Sequence, residues 1–172
     1  IKNTSYTAEV IGNDGSVVSC PLTRVKVRGT KSIEVCTQQD LENIAKNPAE
    51  DYQLMCDVDL NGKIFKSIPN FLGSFESEPG KIHKISNLSN IFINANSGKV
   101  ERIAFEYKIN SSLGLLNENR AHVIRVNYGE GIISQVSLKM DQDNSQSIDL
   151  YSFGLVGLNY GSILKSYTSI TL

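Results

Sequence analysis

Only two histidines, His83 and His122, occur in the 172-residue chain, and its three cysteines, Cys20, Cys36 and Cys56, include no CxxC pair. A structural zinc site draws its ligands from closely spaced Cys and His, so none is expected and no metal is assigned. HExxH is missing, which excludes zinc-dependent peptide hydrolysis in this segment. No Ser lies in a nucleophile elbow and no Cys in a Cys-His signature, so no catalytic residue is assigned. No apolar run approaches the roughly 20 residues that span a bilayer, so membrane insertion is not expected. A net charge of -1 offers no basic footprint for nucleic acid, and no cofactor is implied. An initiator Met and a signal peptide are also absent. A mature form or an excised fragment is therefore expected, and the halt in mid-pattern at Ser169-Ile170-Thr171-Leu172 favours the fragment.

What is present fits one domain with a sizeable core, at 40% apolar residues. The cysteines leave two readings open. Either one disulfide and one free thiol form in an oxidising compartment, with Cys36 and Cys56 the expected pair, or three thiols are buried.

Residues 6 to 28 read as short strands. Tyr6 to Ile11 is followed by turn chemistry at Gly12-Asn13-Asp14-Gly15, since Asn, Asp and Gly tolerate positive φ, and then by Ser16 to Cys20, which Pro21 ends. Thr23 to Arg28 alternates with period two. One helix follows, over about 38–47: Thr37 precedes Gln38-Gln39-Asp40 in a capping-box arrangement, Leu41, Ile44 and Ala45 form an apolar face, and Asn47-Pro48 stops it. Its expected role is a lid over the open end of a repeat core, which otherwise exposes apolar side chains and strand edges.

From residue 52 a hexapeptide pattern occurs five times, beginning at Gly62, Gly80, Gly98, Ala121 and Gly161, with Ile or Val third in each copy. The starts are 18, 18, 23 and 40 residues apart, and Asn96, Asn119 and Asn159 precede the last three. A period near 20 residues indicates one small strand unit per repeat, stacked on its neighbours because none buries its apolar face alone. At about 3.3 Å per residue such a unit has a contour near 65 Å, enough for two or three strands, with successive units about 4.8 Å apart. This predicts an all-β fold, a right-handed parallel β-solenoid. The third position forms an inward column, and Gly at the first serves tight turns or close packing. The 40-residue interval implies an insertion at about 129–150, a projecting strand pair of Ile132 to Leu138 and Ser147 to Tyr151 around a polar tip at Asp141 to Gln146.

Tyr52, Leu54, Asp57-Val58-Asp59-Leu60 and Gly62, then Ile68-Pro69, Phe71, Gly73 and Phe75, then Gly80, Ile82 and Ile85 resemble the opening of bacterial solenoid repeats that end in the GLUG motif. Gly154-Leu155-Val156-Gly157, with Asn159, Gly161, Ile163, Ser166 and Tyr167, is similar to that motif itself, and Gly114-Leu115-Leu116 with Asn119 to a degraded copy. The likeness spans about 33–172 and leaves 1–32 as a strand-rich N-terminal segment or cap. It implies a secreted or cell-surface bacterial protein. The expected function is a noncatalytic scaffold and adhesion or interaction surface, with a host protein or glycan as partner and further solenoid coils or domains in the parent chain. Two alternatives stand beside it: the noncatalytic targeting region of an immunoglobulin A1-type metalloprotease, and a carbohydrate-binding or carbohydrate-active β-helix.

Three groups are candidate sites. Asp57 and Asp59 share a strand face, as acids that bind calcium or abstract protons do; short acids beside a strand end also bond turn amides. The tip from Asp141 to Asp149 has oxygen side chains at alternate positions but lacks the Gly and Glu of a calcium loop. The fifth hexapeptide position is basic throughout: Lys66, Lys84, Arg102, Arg125 and Lys165. Since a buried column of unpaired charge is untenable, the strand must bend after position four and turn the fifth residue outward. An in-register column would bind anions or a charged partner, or else be a solvated face that discourages edge aggregation.

Overall fold

Short apolar-polar alternations pair either with the next strand as a hairpin or with distant parts of the chain in parallel. The computed structural model describes residues 6–11, 17–22, 32–61, 65–109, 120–142 and 152–171. The chain divides into two compact units, Ile1–Lys31 and Ser32–Leu172. In the first, β1 (Tyr6–Ile11) pairs antiparallel with β2 (Val17–Leu22). β2 runs through Pro21 rather than ending there, because β2 is an edge strand and Pro needs no ladder partner on its outer side. The expected turn at 12–15 and strand at 23–28 lie outside the described residues.

The second unit opens with β3 (Ile33–Val35), α1 (Gln38–Ile44), β4 (Asp51–Leu54), β5 (Val58–Asp59) and β6 (Ser74–Ser77). It continues with β7 (His83–Leu88), β8 (Ile93–Asn96), β9 (Lys99–Glu101), β10 (Ile103–Ile109) and β11 (Arg120–Asn127). β12 (Ile132–Ser134), β13 (Ser137–Gln142), β14 (Ser152–Asn159), β15 (Ser162–Leu164) and β16 (Tyr167–Thr171) complete it. The strands form three parallel sheets, ordered β15-β12-β9-β6-β4-β3, β16-β13-β10-β7-β5 and β14-β11-β8. From β6 onward the chain visits these sheets in strict rotation. Ile68 and Phe71, bridged to Ile93 and Asn96, mark an earlier passage through the third. Among the described residues the second unit is built of parallel sheets with one short helix, and the chain is mostly β.

Register stacks like residues on like. Tyr52, Phe75, Val100 and Ile133 are successive partners in the first sheet and all are buried. Val58, Ile85, Phe105 and Leu138 do the same in the second, and Ile68, Ile93 and Ile124 in the third. The sheets meet at Phe92, whose ring centroid lies 5.0, 6.0 and 5.2 Å from those of Phe65, Phe75 and Phe105.

α1 is capped as its sequence predicts. Thr37 Oγ1 accepts from the Asp40 amide at 3.2 Å, and Asp40 Oδ2 accepts from the amides of Thr37 and Cys36 at 3.0 and 3.1 Å. The helix ends at Ile44, short of the expected 47, because Ala45, Lys46 and Asn47 close tightened bonds to residues three back before Pro48. Leu41 and Ile44 are fully buried in the common core. Beside the helix, Cys36 and Cys56 are joined in a disulfide that fastens β3 to β4.

Several expectations need correction. The hexapeptides at Gly98 and Gly161 are equivalent, but the copy between them is Gly131 to Val136: Ile133 pairs with both Val100 and Ile163. Ala121 to Val126 belongs to β11 in another sheet, and Gly80 to Ile85 leads into β7, leaving Ile82 exposed rather than inward. Ile132 to Leu138 is not a projecting insertion, since it supplies β12 and the start of β13, with Ile133, Val136 and Leu138 buried. The first-sheet partners lie 19, 23, 25, 33 and 30 residues apart from β3 to β15, so the expected period near 20 holds for the first returns and lengthens for the later ones.

Candidate functional site

The densest chemistry surrounds Asp57 and Asp59, where β5 lies beside β7. Asp57 Oδ1 accepts from the Lys84 amide at 2.8 Å and lies 3.3 Å from His83 Nδ1. The other face of the imidazole meets Glu78, with Nε2 3.0 Å from Oε1, and Glu78 also pairs with Lys81 at 2.8 Å. Lys81 first and His83 second hold the Glu78 carboxyl below the ordinary carboxylate range. Asp59 Oδ1 accepts from the Asn61 amide at 2.7 Å and from Asn87 Nδ2 at 2.6 Å. Both acids thus hold backbone and neighbouring side chains in register, and each is matched with donors from the next strand. Asn61 and Asn87 both have φ near +50°, a conformation that Asn tolerates. Among the described residues no group of three or more His, Cys, Asp or Glu is arranged to hold a metal ion. His122 is buried on β11 against Gly157 of the neighbouring β14, in a different sheet from His83.

The five basic residues do not make one column. Arg102 and Lys165 occupy equivalent corners, between β9 and β10 and between β15 and β16, and Gln135 stands between them. All three have positive φ, 54°, 54° and 49°, so one left-handed residue makes each bend after the fourth position, with Lys165 exposed and Arg102 half-buried. Lys84 instead lies opposite Ala104 in the second sheet, Arg125 lies in the third, and Lys66 precedes the bridge at Ile68. Two of the five are neutralised locally. Arg102 pairs with Glu76 and Glu101 at 2.9 and 3.0 Å, and Lys84 with Glu106 at 3.0 Å, a bond that raises the lysine pKa. The tip beyond Gln142 lies outside the described residues.

Asparagine supplies the feature that only register reveals. Asn96, Asn127 and Asn159 are consecutive partners at the ends of β8, β11 and β14. Asn96 Nδ2 donates to Asn127 Oδ1 at 2.7 Å, and Asn127 Nδ2 to Asn159 Oδ1 at 2.8 Å. Each amide also donates within its own passage, to the carbonyls of Gly98, Gly131 and Gly161 at 3.3, 3.2 and 3.1 Å. Asn96 and Asn127 are fully buried. Glycine is required opposite: a Cβ at Gly131 would strike Asn127 Oδ1 and the Asn96 carbonyl, and one at Gly161 the Gly131 carbonyl. Sequence spacing found Asn96 and Asn159 but chose Asn119, outside the described residues, because Tyr128-Gly129-Glu130 lengthens the interval between Asn127 and its Gly. Compared with family models, curated proteins and solved structures, the chain matches none of them.

Proposed function

We propose that residues 32–172 form a right-handed parallel β-solenoid and serve as a noncatalytic, secreted or surface-exposed bacterial scaffold that presents an interaction surface to a host protein or glycan. The observation that carries this reading is the strict rotation of the chain through three parallel sheets, with side chains stacked in register. Each return to the same sheet is a parallel crossover, and such connections are right-handed in the great majority of folds. Side chains packed in columns and a buried amide ladder make a stiff body, which suits a stalk or display surface better than a mobile catalytic lid. The Cys36–Cys56 bond supports the secreted setting, since disulfides persist in oxidising compartments. The acids that a β-helix enzyme would use, Asp57 and Asp59, are engaged by the Lys84 and Asn61 amides and by Asn87, which supports binding over turnover. The GLUG-like residues fit this picture, Leu155 packing inward from β14 in its Gly-Leu-Val-Gly run.

The test is incubation of the purified chain with immobilised host glycoproteins and with acidic and neutral polysaccharides, measuring both retention and release of reducing ends. Saturable retention without new reducing ends is expected. Release of reducing ends that disappears in Asp57→Asn or Asp59→Asn would overturn the noncatalytic reading.

A further inference from the structure

The two ends of the sheet stack differ in kind. At the first, Val35, Leu41, Ile44 and Leu54 are fully buried, and the disulfide fastens edge strand β3 to β4. At the last, β14, β15 and β16 are edge strands of all three sheets at once. Ile163 is 40% exposed there, although Phe75, Val100 and Ile133, below it in the same column, are each 0% exposed. Leu158 and Tyr167, also on these strands, are exposed.

The amide ladder points the same way. Asn96 and Asn127 each use one Nδ2 hydrogen within their own passage and the other to reach the next Asn. Asn159 uses one for the Gly161 carbonyl, and its second has no partner among the described residues. In the opposite direction the ladder stops at Phe71, the register partner of Asn96, which has no side-chain carboxamide to offer. The ladder is therefore extensible at one end only.

We propose that this open end is a docking surface for one more polypeptide turn of the same kind, joined in line to β16 and laid parallel on β14, β15 and then β16, with an Asn carbonyl opposite Asn159 and a Gly opposite Gly161. The inference rests on the solenoid reading. The chain direction supplies the geometry, because each earlier strand of the second sheet leads to the third, and a strand after β16 would arrive at the β14 edge in parallel. The Gly requirement follows from the existing stack. A Cβ at Gly161 would meet the Gly131 carbonyl and come within 2.6 Å of Asn127 Nδ2, so a Cβ one level higher would meet the equivalent atoms of Gly161 and Asn159. A second copy of the chain fits less well: two open ends meeting about a twofold axis would run antiparallel and lose the ladder register.

The experiment appends a second copy of residues 143–172 after Leu172 and follows hydrogen exchange of Asn carboxamides and backbone amides by NMR. In the extended chain the Asn159 carboxamide and the Ile163 amide are expected to exchange at least about tenfold more slowly than in the original. Replacing the appended copy's Asn, at the place equivalent to Asn159, by Ala is expected to abolish the carboxamide protection while the Ile163 amide stays protected. An extended chain whose Asn159 carboxamide still exchanges freely overturns the proposal, as does protection indifferent to that Ala replacement. So does an original chain that dimerises and already protects Asn159. The solenoid reading fails separately: it falls if the Asn127 carboxamide exchanges freely in the original chain.

Discussion

Asn127→Ala is the sharpest perturbation of the stack. Asn127 is fully buried and makes three side-chain bonds, accepting from Asn96 at 2.7 Å and donating to Asn159 at 2.8 Å and to the Gly131 carbonyl at 3.2 Å. Truncation leaves Asn159 Oδ1 free to find water, since that residue is exposed, and the Gly131 carbonyl keeps the Ser162 amide at 3.0 Å, but the Asn96 N–H is stranded inside. At about 1–3 kcal/mol for one stranded buried group, the expected loss is about 2 kcal/mol. Asn159→Ala removes the end of the same ladder, where solvent replaces the lost partner, and should cost only about 1 kcal/mol. The assay is urea unfolding of the two variants and the parent, read as a shift in midpoint at constant slope. Equal losses for the two variants, or an Asn127→Ala loss below about 0.5 kcal/mol, would refute the buried-ladder argument.

Other consequences follow from the same contacts. Gly131→Ala should destabilise by about 2 kcal/mol through overpacking against Asn127 and Asn96, whereas Gly80→Ala, with open space about its Cβ site, should respond through its φ of 80° alone; thermal unfolding of both separates the two causes. Replacing Cys36 and Cys56 together by Ser should cost about 3 kcal/mol, measured by urea unfolding, because the bridge spans 20 positions. Thr37→Ala should cost about 1 kcal/mol by the same assay through loss of the capping box. The bond from Thr37 first, and that from the Cys36 amide second, hold the Asp40 pKa below its ordinary value. Its contribution is thus complete above the unfolded value of about 3.9 and is lost as pH falls through the lower folded pKa. Asp40→Asn should flatten that part of a stability-versus-pH curve, and an unchanged acid limb would contradict the assignment.

Local chemistry was legible in the sequence wherever the cause was local. The Thr37–Asp40 box and the bend at Arg102 and Lys165 each depend on a few neighbouring residues, and each stands in the structure; the Cys36–Cys56 pair, 20 positions apart, is one of two readings that the sequence leaves open. Register was not legible, because stacking depends on the length of the passage between returns. The equivalence of Gly131 to Val136 is hidden in the sequence because Tyr128-Gly129-Glu130 displaces it from its Asn, and Ala121 to Val126 imitates the pattern while serving another sheet. Lys84 and Arg102 shared a sequence position but not a column, and acids from adjacent strands, invisible to a linear reading, neutralise both.

The central claim, that the chain returns to the same sheet after passing through two others, is tested most directly by interstrand NOEs. The account predicts sequential parallel-type contacts along Val100, Ile133 and Ile163, along Phe105, Leu138 and Thr168, and along Ile93, Ile124 and Val156. Close antiparallel Hα–Hα contacts between residues 132–138 and 147–151, with none from Ile133 to Val100, would contradict it.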